Sequence, residues 1–142
     1  MTISHLLVFI QVITILILAL TGPVFPDDKV NLIIEILFAL FGIWAMSVFK
    51  FRFSIFPHPK EDVSLMLSGP YRIVRHPMYS AVIFITLIWL LNYFTVFRAM
   101  IWICLVVTLH YKSSIEEKLL LSKHPEYITL MNKTKKFIPF LY

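Results

Sequence analysis

Two stretches of this sequence hold side chains that could bind a charged ligand. The first, GPYRIVRHPMY at 69–79, sets Tyr71, Arg72, Arg75, His76 and Tyr79 among Gly69, Pro70 and Pro77, directly before an apolar run. The second centres on the acidic pair Glu116-Glu117, one to two helical turns past an apolar run that closes near Tyr111. Arginine or histidine can take a ligand carboxylate, helped by a helix N-terminus. A glutamate or the face of a tyrosine can take a cation. Both signs of charge beside tyrosines, at the lip of an apolar cavity, suit a ligand with a carboxylate, a cation and an aromatic ring. The plainer alternative makes Arg72 and Arg75 positive-inside anchors and the tyrosines an interfacial belt.

Elements of a membrane protein must position these residues. Of 142 residues, 59% are hydrophobic, against about 45–50% in soluble domains, and mean hydropathy is +0.84. The apolar residues gather in runs of membrane-spanning length, so the expected fold is an all-α, single-domain integral membrane protein with four spans, at about 4–20, 30–49, 77–93 and 96–111. The first has no preceding Lys or Arg and no small-residue cleavage site after it, and reads as a retained helix rather than a signal peptide. A short link near 92–97 makes spans three and four a tight antiparallel hairpin, so Arg75 and His76 should neighbour Glu116 and Glu117. Gly69-Pro70 reads as a turn, and Pro77 and Pro125 as first helical residues. Helices are expected at 112–121 and 125–133. Lys50, Arg52, Lys60, Arg72 and Arg75 precede span three, and Lys112, Lys118, Lys123, Lys133, Lys135 and Lys136 follow span four, whereas the first connection has Lys29 alone. Both termini are therefore expected in the cytoplasm. The net charge of +5 fits anionic headgroups better than nucleic acid. Cys104, inside a span, is expected to be a small buried apolar side chain.

The order and spacing of SGPYRIVRHPMY, EEKLLLSKHPEY and a closing FIP resemble the isoprenylcysteine carboxyl methyltransferase family and the related phospholipid N-methyltransferases over 65–139. The resemblance implies S-adenosylmethionine as methyl donor, held at the cytosolic face by 63–79 and 112–139, and a lipophilic acceptor entering from the bilayer. It implies a bacterial-type inner membrane or an endomembrane. Tyr71, His76, Pro77, Met78 and Tyr79 match family cofactor contacts, with Leu65, Met66 and Tyr127 alongside, and Glu116 matches the acidic contact. The family arginine assigned to the acceptor is Lys112 here, which keeps the charge and loses the planar two-point grip. The spacing from the Glu pair to Tyr127 is one residue short of the family pattern.

In these terms Glu116 or Glu117 takes the cofactor's ammonium or ribose, His76 with Arg75 its carboxylate, and Lys112 the acceptor's head. The acceptor stays open among an isoprenylcysteine-like carboxylate, a lipid amine and a hydrophobic thiol. An amine must lose a proton, for which Glu116 or Glu117 is the nearest base; a carboxylate needs none. The pairs His58-Pro59, His76-Pro77 and His124-Pro125 fit no metal-ligand spacing. Glu35 is either a functional carboxylate inside span two or one that reaches the interface. Arg98 is expected to snorkel to headgroups, and the Phe-rich stretch 49–56 to lie at the interface. Two other functions compete: an NADPH-dependent membrane reductase of the sterol-reductase type, and a non-catalytic adaptor that keeps the fold.

Overall fold

The computed structural model describes residues 3–48 and 68–139. The segment 49–67, with the Phe-rich stretch, His58-Pro59, Leu65 and Met66, lies outside the described residues. Among the described residues five helices follow one another: α1 (Ile3–Leu20), α2 (Lys29–Val48), α3 (Pro77–Asn92), α4 (Val96–Lys123) and α5 (Tyr127–Lys133). A 3₁₀ turn at Gly69–Arg72 precedes α3, and among the described residues the only strand-like pairing is a parallel bridge from Val74 to Lys135.

The outward surface of α1 and α2 is apolar. Leu6, Phe9, Leu16, Ile33, Leu37 and Leu40 are all exposed, the inverse of the polar face that a water-soluble bundle presents. Helices α1, α2 and α4 are long and apolar enough to cross a bilayer, while α3, equally apolar, has 16 residues and is shorter. Pro77 fixes the start of α3 with His76 at its N-cap, as the missing proline N–H favours. At the far end Thr95 caps α4 by accepting a hydrogen bond from the Arg98 amide, which makes the α3–α4 connection tight.

Helix α4 has no break where its polar part begins. Its 28 residues extend about 42 Å, against about 30 Å of hydrocarbon. The polar stretch from Lys112 onward is thus a rigid continuation of the apolar one, and this rod carries Glu116 and Glu117. The second polar helix starts at Tyr127 rather than Pro125. Carbonyls of His124, Pro125 and Glu126 accept from Tyr127, Ile128 and Thr129, so Pro125 belongs to a tight lead-in turn.

The helices pack as two pairs, α2 on α3 and α1 on α4, joined by the α3–α4 hairpin. Gly42 permits the α2–α3 approach, since a Cβ there would lie 3.0 Å from the Ala81 Cβ; small residues let helices close in this way. One turn away, Phe38 and Phe84 stack at 4.5 Å. Gly69 adopts φ +56 with Val48 and Trp44 against its α-carbon, so glycine meets both the turn geometry and the space.

Two charged residues lie at the end away from α5, and the first of them departs from expectation. Arg98 does not snorkel: it is 1% exposed. It donates from Nη1 to the Leu18 carbonyl at 3.0 Å and Thr21 Oγ1 at 3.1 Å, and from Nη2 to the Trp89 carbonyl at 2.6 Å. A cation thereby closes the C-terminus of α1, where the helix dipole favours it, and Gly22 leaves the room it needs. Glu35 is buried rather than at the interface, accepting from Trp89 Nε1 at 2.8 Å.

Candidate functional site

Three pieces of chain converge where α3 starts. The 3₁₀ turn supplies Tyr71, the first residues of α3 supply Met78 and Tyr79, and the polar half of α4 supplies Glu116 and Glu117. The segment after α5 locks them together. The Arg75 and His76 amides donate to the Lys135 and Lys136 carbonyls at 2.8 and 3.1 Å, and Ser80 Oγ donates to the Phe137 carbonyl at 2.7 Å. That pairing alternates direction: Lys135 points outward and exposed, while Lys136 is buried toward α4.

The two glutamates have different surroundings. Glu117 gathers three basic groups, with Arg75 Nε at 2.8 Å, His76 Nε2 at 3.1 Å and Lys136 Nζ at 3.4 Å. A carboxylate only accepts, so the His76 proton facing it sits on Nε2. Glu117 lies beyond the apolar part of α4. Burial works to raise its pKa, but the hydrogen bond and charge of His76, then Arg75 and Lys136, outweigh that and hold it at about 2. Glu116 faces the cleft instead, accepting from the Tyr79 hydroxyl at 3.2 Å, with His76 Nδ1 3.8 Å away. The His76 and Tyr79 rings stack 5.4 Å apart. Burial, reinforced by the charge of Glu116, pushes the Tyr71 phenol up, and burial with the charge of Glu117 does the same to Tyr127. Both stay neutral hydrogen-bonding groups.

Tyr71, Arg75, His76, Pro77, Met78, Tyr79, Glu116 and Tyr127 therefore line one cleft, together with Leu120 and Leu130. Arg75 is already engaged. Besides Glu117, its Nη1 donates to the carbonyls of Met131 and Thr134, so it ties α5 to α3 rather than projecting at a ligand. Lys112 is brought to a different place. Its ammonium donates to Gln11 Oε1 at 2.6 Å and lies 5.3 Å from the Tyr79 ring centre. Arg72 is exposed and outside the cluster. Lys136, Ser114 and Gln11 join the network without having been singled out in the sequence. A glutamine inside an apolar helix was the one available signal.

As it stands the cleft is narrow. Its free volume is about 30 Å³, space for a water or two on a scale where one needs about 10–15 Å³. The groups around it suit S-adenosylmethionine, since Glu116 can meet an ammonium and Tyr71, Tyr127 and Met78 offer faces for a nucleoside. A nucleoside needs more room than the cleft has in this conformation. Adjoining it, a second cavity of about 280 Å³ shares Met78 and Tyr79 and has otherwise mainly apolar walls. Among the described residues no group of His, Cys, Asp and Glu could hold a metal ion.

A lipid-facing helical bundle with a charged cleft beside an apolar cavity defines an integral membrane protein with a site for a polar ligand next to a greasy one. The phospholipid methyltransferase (PEMT) family profile matches residues 30–129, so the chain belongs to that family and carries a membrane methyltransferase domain. No curated protein and no solved structure matches it.

Proposed function

We propose that the protein transfers a methyl group from S-adenosylmethionine to a lipophilic acceptor at the cytosolic face of its membrane. One observation supports this above the rest: Glu116, with His76 and the tyrosines, opens onto a cleft that shares Met78 and Tyr79 with an apolar cavity. When bound, the cofactor supplies a methyl group on a positively charged sulfur. Glu116 would meet its ammonium, Tyr71, Met78 and Tyr127 would flank its nucleoside, and His76 would orient Glu116 while itself held by Glu117. Lys112 would hold the acceptor's head beyond the Tyr79 ring. Such a transfer needs alignment more than covalent help, and alignment alone can supply effective molarities of about 10⁵ M or more. Separate seats for the two partners on either side of Met78 and Tyr79 serve that end. The basic flanks of spans three and four support a topology with both termini in the cytoplasm and four helices crossing.

Calorimetric titration of the detergent-solubilised protein with S-adenosylmethionine, its demethylated product and NADPH tests this reading. Micromolar binding of the first two and not the third is the expected result. Binding of NADPH alone would select a reductase, and no binding of any would select an adaptor; either refutes the proposal.

A further inference from the structure

The side of α3 turned away from the apolar cavity borders two further hollows. Met78, Val82 and Ile85 line the cavity, whereas Ser80, Ile83 and Phe84 fall on the opposite side of the helix at 3.6 residues per turn. One groove lies between α2 and α3, walled by Phe38, Phe41, Val74 and Phe84, with a free volume of about 310 Å³. The other lies between α3 and α4, walled by Ile83, Trp102, Val106 and Tyr111, with about 510 Å³. Phe84 and Phe137 line both, so the grooves adjoin with these two rings as the ridge between them. Among the described residues neither wall has a carboxylate or an ammonium. Charge collects at one end, where the Val74–Lys135 bridge lies and Ile73, Val74 and Ile138 reach the walls. The basic residues there divide into two sets. Arg75 and Lys136 turn in to Glu117, while Arg72 and Lys135 are exposed, and among the described residues no carboxylate pairs with either. Arg72 directly precedes the wall residue Ile73, and Lys135 is bridged to the wall residue Val74.

We propose that the paired grooves seat an anionic two-chain glycerophospholipid from the leaflet on the site's side, with one acyl chain in each groove and the phosphate on Arg72 and Lys135. Both volumes fall in the range of small-ligand sites, and two hollows parted by a ridge fit two chains joined at one head better than a single chain. Basic residues at the polar end of a groove between spanning helices recognise anionic head groups. A choline head brings a cation of its own to the same place and loses most of that attraction. The lipid is a bound companion rather than an acceptor, because α3 stands between it and the cavity that adjoins the cleft. Its chains pack on Phe137, whose ring lies 6.0 Å from that of His76, and so brace the segment that locks the site. The proposal stands whether or not the cleft takes S-adenosylmethionine.

The test incubates the full-length protein in detergent with phosphatidylglycerol, phosphatidylcholine or lysophosphatidylglycerol of equal chain length, and counts bound lipid by native mass spectrometry at low ionic strength. Phosphatidylglycerol should be retained about tenfold over phosphatidylcholine, as two cations near one phosphate justify, and should also exceed its one-chain form. A diazirine placed mid-chain in phosphatidylglycerol should label α2 and α4 along the groove walls. Arg72→Gln combined with Lys135→Gln, both at exposed positions, should bring the two head groups level. Val107→Trp, at an exposed wall position of the second groove, should lower retention of the two-chain lipid and spare the one-chain form. Hydrogen exchange in 134–138 should slow when phosphatidylglycerol binds. Equal retention of the two head groups by the unaltered protein overturns the proposal, and this comparison needs no variant. Labelling confined to the cavity wall at Gln11 and Ile43 overturns it, as does a head-group preference that survives the double substitution. A lipid-free dimer closing this face overturns it as well, since a second copy is then the occupant. Exchange unchanged by the lipid refutes the brace.

Discussion

Replacing Glu117 with glutamine isolates the contribution of the charge cluster. The substitution keeps the shape and one accepting oxygen but leaves Arg75 and Lys136 without their shared counter-charge. The side chains of Arg75, Glu117 and Lys136 are 11%, 8% and 8% exposed, so solvent screens them little. Removing one member of a buried pair costs about 3–5 kcal/mol. The retained amide oxygen can still take one hydrogen bond, worth about 1 kcal/mol, so a loss of roughly 2–4 kcal/mol is expected. In a chain of this size each kcal/mol moves the melting temperature by about 3 °C, giving a fall of roughly 6–12 °C. Intrinsic fluorescence during thermal scans in detergent, at one fixed rate because such unfolding is often irreversible, measures it. The pH dependence gives a second reading. Because folding lowers the Glu117 pKa from 4.5 to about 2, its contribution is complete above about pH 4.5 and is lost as pH falls toward 2. Glu117→Gln should remove that part of the acid profile. A variant melting within about 2 °C of the parent, with an unchanged acid limb, would refute this account of the cluster.

Glu116→Gln should do the opposite, with melting nearly unchanged and affinity for S-adenosylmethionine down at least about tenfold by calorimetry, as a charge-assisted hydrogen bond is worth about 1.5–3 kcal/mol. Gly22→Ala puts a Cβ 2.2 Å from Arg98 Nη1 and should destabilise the protein by roughly 1–3 kcal/mol, read as a lower melting temperature. Ser80→Ala removes the bond to the Phe137 carbonyl and should speed hydrogen exchange in 134–138 while leaving α1 and α2 as protected as before.

Much of this architecture is visible in the chain, and the exceptions have physical causes. Apolar runs locate the helices because a bilayer demands about twenty such residues each. Pro77 and Gly69 mark the boundaries they are seen to make. The proximity of Arg75 and His76 to Glu116 and Glu117 follows from a short connection between two antiparallel helices. Arg98 is different. At the start of a helix it looks like an interfacial anchor, and only the arrival of the α1 carbonyls and the vacancy at Gly22, more than seventy residues away in sequence, reveal a buried clamp. Lys136 is one of three tail lysines with nothing to distinguish them until the Val74–Lys135 bridge sets which faces inward. The continuity of α4 through Lys112 was hidden because composition changes there while helical propensity does not. The width of the cleft has no sequence signature at all.

The bridge between Val74 and Lys135 also bears on biosynthesis. Helices α1 to α4 all leave the ribosome before the segment that pairs with the α3 doorway. Until Lys135, Lys136 and Phe137 leave the exit tunnel, Glu117 lacks one cation and the Arg75 and His76 amides have no acceptors from that strand. Nascent chains are thus inserted first and acquire their ligand-facing geometry last, so a stalled product would be anchored in the bilayer and inert.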